Sequence, residues 1–253
     1  MHDGNLSIAN FTLDNKLTLM KLLRLILLSA ILIVSIQATA PAANTSAIEV
    51  IGAEFDFGYL PYGITLLQRI KIINHSDSLL RITKLIPGCG CTRMVPNRWE
   101  AQSGESLAFD LFLDTKKIGR GHFQKSPTIY TNSAAGQRIE TKMTGVAANP
   151  GDYALPVELS PNEIVVHRNA SNSIPVSIKN VSKDDLTIKL AAYTLDPNIM
   201  ITLPPTQLTA GRTELIKVEI NENRLPAILS DSFTICLNDN RKTRITVPIR
   251  WED

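Results

Sequence analysis

The chain has 253 residues, 44% of them apolar, and carries 26 Lys and Arg against 24 Asp and Glu. That apolar content suffices for packed cores and excludes a disordered chain. The near balance of charge, with no basic cluster beyond the leader, gives no electrostatic footprint for nucleic acid or anionic lipid.

In chain order, Met20-Lys21-Leu22-Leu23-Arg24 is a short basic region running into an apolar stretch, Leu25 to Ile36, broken only by Ser29 and Ser35. Small residues follow at Ala38, Ala40, Ala42 and Ala43, the layout of a signal peptide cleaved after Ala40 or Ala42. The expectation is a leader over residues 1–42 with translation starting at Met20, because the polar stretch before it is awkward ahead of a signal. The run is shorter than the roughly 18 apolar residues of a spanning helix. Left uncleaved, the leader would be the one membrane attachment. An extracytoplasmic location, periplasmic or secreted, follows.

From about Glu49 the apolar residues alternate with period two. Phe55 and Phe57 lead into a turn at Gly58-Tyr59-Leu60-Pro61. Leu66, Gln68, Ile70 and Ile72 share one strand face, and Asn74-His75-Ser76-Asp77 is a turn. Leu80, Ile82 and Ile86 lie on the next strand. Then comes Pro87-Gly88-Cys89-Gly90-Cys91-Thr92, with two of the three cysteines. Residues two apart in an extended chain point to the same side, so both sulfurs are offered together. A bridge between them closes an eleven-membered ring and requires a kink at Gly88 to Gly90; a bond formed under that constraint sits at the labile, oxidising end of the scale.

Three uses of this corner stay open. One is thiol–disulfide exchange. The second is soft-metal capture, since paired thiolates suit Cu(I), with Met94 and His122 as conceivable further ligands. The third is a plain structural bend, in which small residues turn the chain beside a packed sheet. Zinc fits less well, because a closed zinc site has four ligands and two are visible.

After the corner, Leu107, Phe109, Leu111 and Leu113 alternate with Ser106, Ala108, Asp110 and Asp114, the cleanest half-buried strand in the chain. Gly119-Arg120-Gly121 reads as a hairpin turn, since the third glycine and following helix of a phosphate loop are missing. Phe123 to Thr131 and Arg138 to Val146 read as two strands closing a domain. No helical stripe of useful length follows the leader, and there is neither a Gly-x-Ser-x-Gly elbow nor a His-Glu-x-x-His helix to support hydrolysis.

A second copy follows. Asn180-Val181-Ser182 repeats Asn74-His75-Ser76 at an offset of 106, and Thr234-Ile-Cys-Leu-Asn238 repeats Thr128-Ile-Tyr-Thr-Asn132 at the same offset. That period fits tandem sandwich domains of about 100 residues each rather than a solenoid unit. The domains are placed at 49–148 and 156–253, joined through Asn149-Pro150-Gly151. Leu195 and Pro197 stand where Cys89 and Cys91 would recur, so the second copy lacks the motif. Cys236, aligned with Tyr130, is expected to be a buried, unpaired core residue. Asn74, Asn169 and Asn180 begin formal glycosylation sequons, but the two that coincide across the repeat are better explained as turn residues. His75 and His122 read as solvated turn residues, and His167 as a strand residue without acidic or cysteine neighbours.

Phe55-Asp56-Phe57-Gly58, Asn74 with its polar turn, Gly88-Cys89-Gly90-Cys91-Thr92 and Gly104-Glu105 together resemble a bacterial family of secreted domains of unknown function marked by Cys-Gly-Cys-Thr, over roughly Phe55 to Val146. Those domains are similar to immunoglobulin-like sandwiches of the major sperm protein and Hydin kind. The strand pattern and the repeat give the expectation of an all-β fold of two tandem immunoglobulin-like sandwiches, and the resemblance implies a binding or scaffolding module rather than an enzyme. The expected function is an exported, non-enzymatic binding, adhesion or scaffolding protein without a cofactor. It would take a protein partner through sheet edges or loops and no nucleic acid, and would touch a membrane only through an uncleaved leader. The alternative is redox exchange or copper binding at Cys89 and Cys91, with Gly88, Gly90 and Thr92 in support.

Overall fold

The computed structural model describes residues 47–167, 173–191, 198–204, 207–221 and 230–252. The leader with its expected cleavage sites, Asn169, and the positions Leu195 and Pro197 lie outside them. Among the described residues no helix is long and apolar enough to cross a membrane.

The alternation expected from the sequence becomes a nearly all-β structure. Its first half comprises β1 (Ile48–Ile51), β2 (Glu54–Pro61), β3 (Thr65–Asn74), β4 (Leu80–Ile86), β5 (Thr92–Pro96), β6 (Glu100–Ala101), β7 (Ser106–Asp114), a one-turn helix α1 (Thr115–Ile118), β8 (Gly121–Lys125), β9 (Thr128–Thr131), β10 (Arg138–Glu140) and β11 (Lys142–Ala148). The second half comprises β12 (Val157–Ser160), β13 (Ile164–His167), β14 (Ser173–Asn180), β15 (Leu186–Leu190), β16 (Ile199–Thr202), β17 (Gln207–Leu208), β18 (Thr213–Ile220), β19 (Ser230–Leu237) and β20 (Arg244–Glu252).

In the first lobe a sheet of order β1-β3-β7-β5 covers a core closed on its other side by β10-β9-β4-β6 and by β8-β11-β2. Strand β7 is the centre of that core: Leu107, Phe109, Leu111 and Leu113 are all fully buried, and the residues between them are half-buried. In the second lobe β12-β14-β18-β16 covers β17-β15-β19-β20, with β13 beside β20, around a separate apolar cluster drawn from Val157 to Ile249. Burying a Leu, Ile or Phe side chain stabilises by about 1.5–3 kcal/mol, so each cluster contributes strongly to holding its own sheets together.

Several expectations need correction, among them the turn at Gly58 to Pro61, which lies inside β2. The stretches Phe123–Thr131 and Arg138–Val146 are not single strands, because each changes sheet partway. β8 and β11 pair with each other, whereas β9 and β10 pair with each other and β9 with β4. The breaks fall at Pro127, which has no N–H to donate to a ladder, and at Thr141, whose N–H and hydroxyl both donate to the Pro127 carbonyl at 2.9 Å. Cys236 is half-buried rather than buried, and is free of any disulfide. Phe233, Ile235 and Leu237 take the inward face of β19, which leaves position 236 on the outer one.

The repeat is visible bond for bond. Asn74 Nδ2 donates to the Ser78 and Ala101 carbonyls while its Oδ1 accepts from the Ser76 amide and hydroxyl. Asn180 does the same with Asp184, Leu208 and Ser182. Both asparagines are fully buried, so neither amide is open to glycan attachment.

The lobes are joined by more than a connector. β2 pairs in parallel with β20 at Tyr59 and Ile245, so one eight-stranded sheet runs through both. At the crossing Gly58 adopts φ +61°, and a Cβ there would lie 2.2 Å from the Arg244 carbonyl oxygen, so the approach requires glycine. Thr246 Oγ1 lies 2.5 Å from the Phe57 carbonyl and 2.7 Å from Thr234 Oγ1. On the neighbouring face the wholly buried Asp231 accepts from Arg69 at 2.7 Å, and Ser230 donates to the Thr65 carbonyl. Leu67, between those two residues on the same face of β3, is buried although it points away from the first core.

Candidate functional site

The cysteine corner links β4 to β5. Gly88 takes φ +85°, the kink the short ring calls for, and Cys89 and Cys91 are joined by a disulfide with Cα atoms 5.2 Å apart. The turn is closed by the Thr92 amide donating to the Cys89 carbonyl at 3.3 Å. It is pinned to the end of β7 by the Asp114 amide donating to the Cys91 carbonyl at 2.8 Å, beside the pairing of Thr92 with Leu113. Cys91 and Thr92 are buried, each 7% exposed, whereas Cys89 is half-buried between the exposed Gly88 and Gly90. Thr92 Oγ1 lies 3.3 Å from Cys89 Sγ and 3.7 Å from Cys91 Sγ.

The other residues singled out by sequence are dispersed. Met94 is half-buried on β5 opposite Leu111 and packs on the first core. His122 lies within strand β8, not in a turn, exposed and opposite Val146 in another sheet. Sulfurs bonded to each other present no thiolate, so a soft metal would find ligands here only after two-electron reduction of the bridge. Among the described residues no three His, Cys, Asp or Glu side chains cluster as a metal site. His75 pairs with Glu49 at 3.0 Å, a partner that the turn pattern did not indicate.

A nearby turn carries the charge whose environment is clearest. Glu105 Oε2 accepts from the Gln102 amide at 2.9 Å and from Arg98 at 3.0 Å. The Gln102 backbone donor, opposed by desolvation and then reinforced by the Arg98 charge and hydrogen bond, holds this carboxyl below its ordinary value of 4.5.

The seam between the lobes was not apparent from sequence. On one side of the β2–β20 crossing is a cavity of about 440 Å³ walled by both lobes, with Tyr59, Pro61, Tyr153, Leu155, Leu159 and Ile245 in its lining. The Tyr59 and Tyr153 rings lie 5.1 Å apart and tilted, and Tyr153 remains 38% exposed. A second opening of about 540 Å³ is cationic, with His122, Arg241, Lys242 and Arg244 against Asp56. Arg244 donates to the Asp56 carbonyl at 3.0 Å. The one trace of the seam in the sequence is Tyr153, an aromatic residue within an Asn-Pro-Gly-Asp connector.

The family described as "Protein of unknown function (DUF1573)" matches residues 48–147, the span of the first lobe, and supports a β-sandwich domain of unknown function there. No curated protein matches the chain in sequence. Among solved structures, a protein of unknown function from Porphyromonas gingivalis W83 is 13% identical, with 82% of this chain and 100% of that one covered and a TM-score of 0.35. The E. coli chaperone DraB is 9% identical over 81% of this chain and 95% of its own, with a TM-score of 0.30. A PapD-like domain of human CEP192 is 11% identical over 41% of this chain and 87% of its own, with a TM-score of 0.32. At these identities and scores none of them bears on function.

Proposed function

We propose that this chain is an exported binding or scaffolding protein of two immunoglobulin-like domains, 49–148 and 156–253, that takes a protein partner at the seam. The observation that carries this reading is the apolar cavity walled by both lobes. Its volume falls in the usual range of binding pockets, and sites of this kind are common where two folded units meet. Tyr59 and Tyr153 offer rigid rings with polar tips, the side chains most often found as anchors in interfaces. Among the described residues β8, β5 and β16 are outer strands of their sheets, and their edges give an extended partner further places to add a strand. Export is supported by the leader pattern before residue 43 and by the Cys89–Cys91 bridge, since such bonds persist in oxidising compartments.

The test is retention of an extracytoplasmic partner by the immobilised full chain. Tyr153→Ala and, separately, Val181→Glu at the rim of the same cavity should each weaken retention by about thirty-fold, the effect of removing one interface anchor. A partner held equally by wild type and both variants would move the binding surface elsewhere and end this reading.

A further inference from the structure

The cysteine corner is built asymmetrically, and nothing in the seam explains it. Cys91 is held from three sides: its side chain lies in the core cluster, its carbonyl accepts from Asp114, and the next residue is paired into β5. Cys89 is half-buried in a loop with exposed glycines on both sides. The space above Gly90 is open, with no atom within 4 Å of where a Cβ would stand, and above Gly88 the nearest is a backbone oxygen at 3.8 Å. Cys89 also packs on the core, yet its side of the bridge is the more open of the two to a thiol arriving from solvent. The buried Thr92 hydroxyl lies within reach of both sulfurs and can donate to whichever carries charge.

We propose that Cys89 and Cys91 form a thiol–disulfide exchange site of fixed polarity, with Cys89 accepting the incoming thiol and Cys91 as the leaving and resolving thiol, acting on a dithiol. The thiolate of the dithiol attacks Cys89 Sγ, a new S–S bond forms to Cys89, and the Cys89–Cys91 bond breaks with its electron pair leaving on Cys91 Sγ. The Thr92 hydroxyl donates to that thiolate, which then takes up a proton. The second thiolate of the dithiol attacks its own sulfur in the mixed disulfide, closes a disulfide on the substrate, and releases Cys89 as a thiolate. Two electrons and two protons have then passed from dithiol to corner. The same steps in reverse, against any disulfide of sufficiently oxidising potential, restore the bridge. Attack at the accessible sulfur is what exchange requires, and burial of its partner keeps the resolving thiol from reacting elsewhere. Thr92 acts here as a positioning residue for the leaving sulfur.

The full folded chain, without denaturant, is mixed with dithiothreitol as the dithiol, and oxidised dithiothreitol and protein thiols are measured. One oxidised dithiothreitol and two new protein thiols per chain are expected. A bridge untouched by millimolar dithiothreitol in the folded state would overturn the proposal. Polarity is read with the variants Cys91→Ser and Cys89→Ser, each carrying Cys236→Ser as well so that one thiol remains, against Ellman's reagent. The first should react at least about tenfold faster, and equal or reversed rates would overturn the assignment. Thr92→Val should slow reduction of the bridge by about tenfold, as expected for loss of one hydrogen bond to a charged sulfur, and Thr92→Ser should restore it. Should Thr92→Ser fail to recover the rate while both variants melt as wild type does, Thr92 has no part in the exchange. Seam binding is unaffected by any of these outcomes.

Discussion

At the scale of single residues, the strongest specification lies in the paired asparagines. Asn74 and Asn180 each satisfy two backbone carbonyls and accept two bonds from a serine two residues on, with no exposed surface. Alanine at either site strands one buried acceptor, at Ala101 or Leu208, and frees one part-buried one, and a loss of about 2 kcal/mol is expected in denaturant unfolding, similar at both positions. Loss at one position only would show that the two turns are not equivalent. The sequence marks these residues by their spacing, yet shows them as turn formers; burial depends on strands 27 and 28 positions away closing over them. Glu105 gives a pH-dependent term. Its folded pKa is depressed, so its contribution is present above the ordinary value of 4.5 and is lost as pH falls through the lower folded value. Glu105→Gln should flatten that part of the melting temperature against pH, and an unchanged acid limb would place the dependence elsewhere.

At the scale of elements, alternation identifies strands well and assigns them to sheets poorly. β7 shows its burial pattern directly in its residues, because one face meets the core along its whole length. The stretch from Phe123 to Thr131 also reads as one strand in sequence, but its two halves serve different sheets. Period two records which way a side chain points and not which neighbour the backbone meets. Only Pro127 hints at the corner, and its partner Thr141 lies 14 positions further along. Thr141→Val keeps the shape and removes the hydroxyl bond, for an expected loss of about 1 kcal/mol in chemical unfolding. No measurable loss would mean that the amide bond to the Pro127 carbonyl holds the corner unaided.

At the scale of the molecule, the repeat leads one to expect two beads on a short string, whereas the described chain has a common sheet. That pairing joins residues 59 and 245, with an ion pair between the half-buried Arg69 and the buried Asp231 beside it. No local pattern signals a contact at such separation; Gly58 looks like an ordinary turn glycine until Arg244 is set against it. The intact chain is expected to melt in one cooperative transition. Gly58→Ala, which forces β20 away from β2, should resolve it into two in calorimetry, and Asp231→Ala should lower stability by about 2 kcal/mol by removing the carboxylate that accepts from Arg69, which keeps Asp110 beside it. A single unaltered transition in Gly58→Ala would mean that the crossing contributes nothing to cooperativity. The crossing also imposes an order of events on synthesis. The flank of β2 that faces β20 has no mate until the last strand has been made, nearly two hundred positions later. Throughout that interval a hydrogen-bonding edge stands uncovered, so shielding by a holdase, or speed in completing the polypeptide, decides whether nascent molecules reach their final form or stick to one another.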